Sequence, residues 1–171
     1  MFRTLSLVDY DPGWPTRFTA EAARIATAIA ERAIAVEHVG STAVPGLIGK
    51  PVLDIAIAVA NEADADACVA PLTALGYTSR GANGDDPLRR YYVLETDRVR
   101  VAQIHLYMLP ARAWDELLAF RDALQANQAL ASEYADEKRR VAAAVHWDKS
   151  AYSIAKGPFI QRALAELRGS E

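Results

Sequence analysis

The stretch from Ala35 to Val59, AVEHVGSTAVPGLIGKPVLDIAIAV, constrains the fold more than any other part of the chain. A short apolar segment runs into Gly40-Ser41-Thr42, a loop punctuated by Pro45, Gly46 and Gly49 follows, and Lys50-Pro51 leads into an apolar run interrupted by one carboxylate, Asp54. A β-branched run bounded by turn residues fits a strand buried on both faces. A carboxylate inside it has to meet a cation, hydrogen-bond donors, a metal or a polar cleft, because burying an unpaired charge is costly. Strand alternation places Val52, Asp54, Ala56 and Ala58 on one face and Leu53, Ile55, Ile57 and Val59 on the other. The Asp54 face carries the small residues, which would leave room for a ligand or metal. Pairing with a structural Arg or Lys accounts for Asp54 equally well.

The rest of the chain reads as support for this segment. Asp11-Pro12-Gly13-Trp14-Pro15 is a turn with Pro15 suited to a helix first turn, and a helix over 16–32 puts Phe18, Ala22, Ile25, Ala26 and Ile29 on one stripe. Strands are expected over 34–39 and 52–59, then an alanine-rich helix over 63–75 stopped by Gly76. A short strand over 77–79 precedes a Gly/Asn/Asp/Pro-rich loop over 81–87, the most flexible-looking segment. A hairpin over 89–95 and 99–109 turns at Thr96-Asp97-Arg98. Helices over 113–126, 130–145 and 150–167 complete the chain, the last interrupted by Pro158. This order predicts an α/β (α+β) fold with one central sheet, flanking helices and a helical C-terminal half, as a single domain over residues 1–171.

Composition narrows the function classes. At 171 residues, 51% hydrophobic and 24% charged, the chain has the mass and balance of a folded globular protein. The single Cys68 rules out an internal disulfide and a cysteine metal cluster. No apolar run approaches the roughly 20 residues that cross a bilayer, and the N-terminal residues lack a secretion-signal pattern, so a cytoplasmic protein is expected. A net charge of −3 argues against broad nucleic-acid binding but leaves room for a local anion pocket.

Several residues are candidates for such a pocket. Gly40 permits close backbone approach, and the Ser41 and Thr42 hydroxyls and amides can cradle a phosphate, although an ordinary strand-ending turn has the same sequence. His105 shares a strand face with Gln103 and Tyr107 and can line the cleft of Asp54, as can His38 beside the Gly-Ser turn; a histidine in either place can equally be a hydrogen-bonded structural residue. Arg89, Arg90, Arg121, Lys138 and Lys156 are either solvated surface or counter-charges. For a phosphate, Lys50, Arg89, Arg90, Arg121 and Lys156 stand first, Tyr152 and Lys156 sharing one helix face by their spacing. Trp14, Trp114 and Trp147 read as core or interface anchors.

With these residues assembled, the chain resembles the GrpB (UPF0157-type) family, related to the nucleotidyltransferase fold. VDYDPGWPTRF, EHVGSTAVPGL followed by KPVLDI, FRDAL, EYADEKRR and AYSIAKGPFI carry the likeness over nearly the whole sequence. The resemblance implies a nucleotidyltransferase-like mixed sheet. In that superfamily a Gly-Ser turn holds the nucleotide triphosphate, two carboxylates two residues apart on the next strand bind divalent metal, and a third comes from a neighbouring strand. Gly40 and Ser41 match the turn and Asp54 the first carboxylate. The second position falls at Ala56 and the third near Gln103 or His105, and the family's usual His-Leu-His is here His105-Leu106-Tyr107. A single aspartate makes a poor Mg²⁺ site, whereas Asp54 with His105 and His38 would suit Mn²⁺ or Zn²⁺ better.

Three functions follow as expectations. The first is nucleotidyl or phosphoryl transfer, with Ser41 and the basic residues on phosphate and Asp54 as metal ligand or base, using Mg²⁺ or Mn²⁺. The second is a non-catalytic cleft for a nucleotide or other phosphorylated metabolite. The third is an accessory or interaction domain with a protein partner, since the family's domains also occur fused to dephospho-CoA kinase.

Overall fold

The computed structural model describes residues 5–81 and 89–169. Most of the expected 81–87 loop therefore lies outside the described residues. Its elements are α1 (Trp14–Ile29), β1 (Ala33–Val39), β2 (Leu53–Val59), α2 (Glu62–Ala67), α3 (Val69–Ala74), β3 (Thr78–Ser79), β4 (Arg89–Thr96), β5 (Val99–Met108), α4 (Arg112–Ala126), α5 (Gln128–Ala144), α6 (Lys149–Ala155) and α7 (Gly157–Arg168). The strands form one mixed sheet in the order β1-β2-β5-β4-β3. Among the described residues only β2 and β5 pair in parallel, Asp54 opposite Gln103, Ala56 opposite His105 and Ala58 opposite Tyr107.

The two sheet faces have different partners. Leu53, Ile55, Ile57 and Val59 of β2 meet Ile104, Leu106 and Met108 of β5 beneath α1, α2 and α3. On the opposite face, Ala56 and Ala58 pack with Tyr107 under Trp114 of α4. The small residues beside Asp54 thus admit an indole, and a cleft opens at the Asp54 end of the strand. Beyond α4 the helices α5 and α7 close a second core, in which Phe120, Tyr134, Phe159 and Leu164 pack with Val44 and Leu47 of the loop after β1. That loop is shared between the sheet and the helical half.

Local departures from the expected elements have local causes. The helix expected over 63–75 is split at Cys68, because Pro71 supplies no amide hydrogen and its ring crowds the carbonyl four residues earlier, that of Ala67. Asn61 caps α2 by accepting the Asp64 amide at 3.0 Å, and Pro158 sits in the first turn of α7, where it is tolerated. Trp14 and Trp114 are buried as anchors, whereas Trp147 is 44% exposed in a left-handed turn with His146.

Gly40 ends β1 at φ +69°, ψ −167°, a region open essentially to glycine alone. A Cβ there would lie 2.9 Å from Cβ of Asp54, so the turn passes over the carboxylate only because no side chain intervenes. Gly40→Ala is therefore expected to cost about 2 kcal/mol or more, read as a lower urea midpoint at unchanged slope. An unchanged midpoint would show that the turn tolerates a Cβ.

Candidate functional site

A cleft of about 250 Å³ opens between the Asp54 face of the sheet and the helical half. Gly40, Ser41, Lys50, Asp54, Gln103 and His105 line it from the sheet side. The helices contribute an apolar wall that includes Leu117, Phe120 and Leu124, together with Arg121, Tyr134, Tyr152 and Lys156.

Asp54 is held by donors. Its position opposite Gln103 across the parallel pair lets the Gln103 amide donate to Oδ1, and Nε2 of His105 stands 3.7 Å from the same oxygen. Burial opposes ionisation of Asp54, but His105, Gln103 and Lys156 outweigh it and hold the pKa below the usual carboxylate value. Gln103 is fixed in turn: its Oε1 accepts from the Tyr91 hydroxyl at 2.5 Å, and Arg100 donates to that hydroxyl at 2.9 Å. The relay Arg100–Tyr91–Gln103–Asp54 orients the carboxylate. Nδ1 of His105 is buried with no hydrogen-bond partner.

Three lysines gather around this site, Lys50 and Lys156 in the lining and Lys138 behind the Ser41 turn. Lys138 of α5 is wholly buried, donates 2.7 Å to Oγ of Ser41 and also to the Ile48 carbonyl, and lies over the Tyr134 ring. Burial pushes its pKa down to about 6, with Lys156 acting in the same direction and Asp54 against it. Lys50 and Lys156 stand 5.0 and 4.7 Å from the centroid of the Tyr152 ring. Burial, then neighbouring cations, lower Lys50 to about 8; burial lowers Lys156, with Asp54 opposing. Arg121 is committed elsewhere, donating 2.7 Å to Glu37, 2.9 Å to the His38 carbonyl and 2.7 Å to Asp122.

The structure brings together Gly40, Ser41, Lys50, Asp54, His105, Arg121 and Lys156 from the expected set. It places the others elsewhere. His38 points to the opposite sheet face, stacked on Phe18 at 4.5 Å with Nε2 2.9 Å from the Thr42 hydroxyl; burial drops its pKa to about 4. Thr42 is buried in that contact, beneath the turn. Arg89 and Arg90 do not line the cleft, and Arg90 reaches Glu62 at 3.1 Å. Among the described residues no group of three His, Cys, Asp or Glu side chains is gathered as a ligand set. With Ala56 at the second carboxylate position, His38 turned away and an amide donating to Asp54, these residues do not fit a resident divalent metal. From sequence, Lys138 stood only as surface or counter-charge and Gln103 only as a neighbour of His105, and the aromatic wall was not foreseen. The signal for Lys138 was present, since Leu130, Tyr134, Lys138 and Val141 share one helical stripe and a lysine on it has to be buried.

Similar proteins agree with this architecture. The profile of the GrpB family, described as GrpB protein, matches residues 4–166. A UPF0157 protein of Halalkalibacterium halodurans is 36% identical over 92% of this chain and 80% of its own length. The crystal structure of the conserved protein GrpB from Enterococcus faecalis superposes with a TM-score of 0.82 at 28% identity, covering 95% of this chain and 99% of that one. A cytoplasmic RNA terminal U-transferase superposes with a TM-score of 0.52 at 13% identity, over 79% of this chain and 44% of that one, a likeness of fold. Among the described residues no helix is long and apolar enough to cross a membrane.

The Lys138 pKa makes stability pH-dependent. Its folded value near 6 lies below its ordinary 10.5, so between these limits the unfolded chain carries the extra proton. Stability therefore rises with pH across this window, by up to about 1.4 kcal/mol per pH unit from this group. Urea unfolding between pH 6.5 and 9 should show a rising slope that flattens in Lys138→Met. Equal slopes in the two proteins would mean that Lys138 stays protonated when buried.

Proposed function

The chain belongs to the GrpB family, and we propose that its cleft binds a nucleotide or another phosphorylated small molecule without a resident metal. One observation carries this reading: Lys50 and Lys156 flank Tyr152 inside a cleft whose described lining contains a single carboxylate, Asp54. Two ammonium groups beside one ring face a single carboxylate in that lining, and Asp54 is already served by Gln103 and His105. An anion entering beside Tyr152 would satisfy both.

The remaining lining supports the same class of ligand. Ser41 presents its hydroxyl at the end of a glycine turn, fixed from below by Lys138. Leu117, Phe120 and Leu124 offer an apolar surface suited to a base or an acyl body rather than to bare inorganic phosphate. Asp54 would face a sugar or head-group hydroxyl, since its free lone pairs can only accept. A bound phosphate would favour the protonated forms of Lys50 and Lys156, so affinity should decline as pH rises above about 8, where Lys50 loses its proton. The fold likeness to a terminal U-transferase favours a second reading, metal-dependent nucleotidyl transfer with Asp54 as the one retained carboxylate. That reading requires turnover with Mg²⁺ or Mn²⁺ that Asp54→Asn abolishes.

Calorimetric titration with nucleoside mono- and triphosphates, with EDTA or with Mg²⁺ or Mn²⁺, separates the two. Binding in EDTA is expected, weakened roughly 10- to 100-fold by Lys156→Ala or Lys50→Ala, as befits loss of one charge-assisted hydrogen bond. Strict dependence on added metal would reverse the order of the readings. Failure of every nucleotide and phosphate to bind the folded protein would discard the phosphate site.

A further inference from the structure

Lys50 lines two cavities. Besides the cleft, it borders a groove of about 250 Å³ formed with Arg98, Arg100 and Lys149, between the β4–β5 turn and the start of α6. Among its described lining residues there is no Asp or Glu; Glu95 stands 4.0 Å from Nη2 of Arg100. Lys156, Lys149 and Arg100 all act electrostatically on Lys50 and lower its pKa, after burial. The positive charge is therefore continuous from the cleft, through Lys50, into the groove.

Two further features mark the groove as arranged for a ligand. Asp97 and Arg98 form the two-residue turn between β4 and β5, with φ of +51° and +65°. Hairpin turns of this geometry favour Asn-Gly or Asp-Gly, and an arginine in the left-handed region costs on the order of 1 kcal/mol. The chain accepts this cost and places a guanidinium at the groove. Arg100, in turn, has Nε buried without a hydrogen-bond partner, while its Nη1 belongs to the Tyr91–Gln103 relay that ends on Asp54. The two cavities are joined by hydrogen bonds as well as by charge.

We propose that this groove is a second anion subsite, and that the natural ligand is a small molecule with two or more phosphate groups, one beside Lys156 and Tyr152 and another beyond Lys50 among Arg98, Arg100 and Lys149. The inference rests on the cleft itself binding phosphate. A polynucleotide fits less well: the groove is short, and a net charge of −3 opposes tracking along a phosphate backbone.

Inorganic orthophosphate and tripolyphosphate, titrated in EDTA, test it without an unknown ligand. Tripolyphosphate should bind the wild type at least 10-fold more tightly. The variants are Arg98→Gly, whose glycine suits the left-handed φ, and Lys149→Ala, at a helix start that alanine tolerates. In the double variant the preference for tripolyphosphate should fall to within about threefold, with a thermal midpoint no lower than that of the wild type. A preference that survives in the double variant, while Lys156→Ala still weakens binding 10-fold or more, overturns the second subsite and leaves the cleft reading intact. Binding of neither anion by the wild type overturns both.

Discussion

The contact between Lys138 and the Ser41 turn is the joint on which the structure depends. The α1–α3 face of the sheet and the helical half have separate cores, and besides α4 packed on the sheet they share the loop between β1 and β2. Lys138 reaches from α5 to bond both ends of that loop, at Ser41 and at the Ile48 carbonyl. A buried amine with two oxygen acceptors and an aromatic face beneath it is satisfied, but it is expensive to leave unpaired. Whatever displaces Ser41 must therefore also disturb the packing of the helices.

This joint explains why the cleft has two chemically different walls. The sheet wall is polar because β2 and β5 run parallel with Asp54 and Gln103 in register, which points successive polar residues to one side. The helical wall is apolar because it is the edge of a helix-packing core left uncovered where α4, α5 and α7 diverge from the sheet. The lysines lie along the seam. Their depressed pKa values record how little water reaches that seam, and they make charge the quantity most easily altered there.

Much of this was legible in the chain. The apolar run broken by Asp54, the glycine turn before it and the alternation of Gln103, His105 and Tyr107 gave the sheet and one wall of the cleft, because a period of two fixes which side chains share a face. What alternation could not supply was which face each strand turns to the helices. His38 sits one residue from Val39, and the two lie on opposite sides of β1, so proximity to the turn placed it wrongly. Arg89 and Arg90 follow a flexible-looking loop in sequence, yet sequence order says nothing of distance across four strands. The role of Lys138 depended on a contact between residues 97 positions apart, which no local pattern encodes.

That separation has a kinetic meaning. The Asp54–Gln103 bond spans 49 positions and the Lys138–Ser41 bond 97, whereas the β4–β5 hairpin and each helix close locally. Contacts over long loops carry the larger closure entropy and tend to form after local ones. The cleft is thus expected to be among the last parts to assemble, with φ-values near zero at Lys138 and Gln103. Changes in its lining would then be felt mainly as faster unfolding, so the lifetime of the native state, more than the speed of reaching it, is set at the binding site.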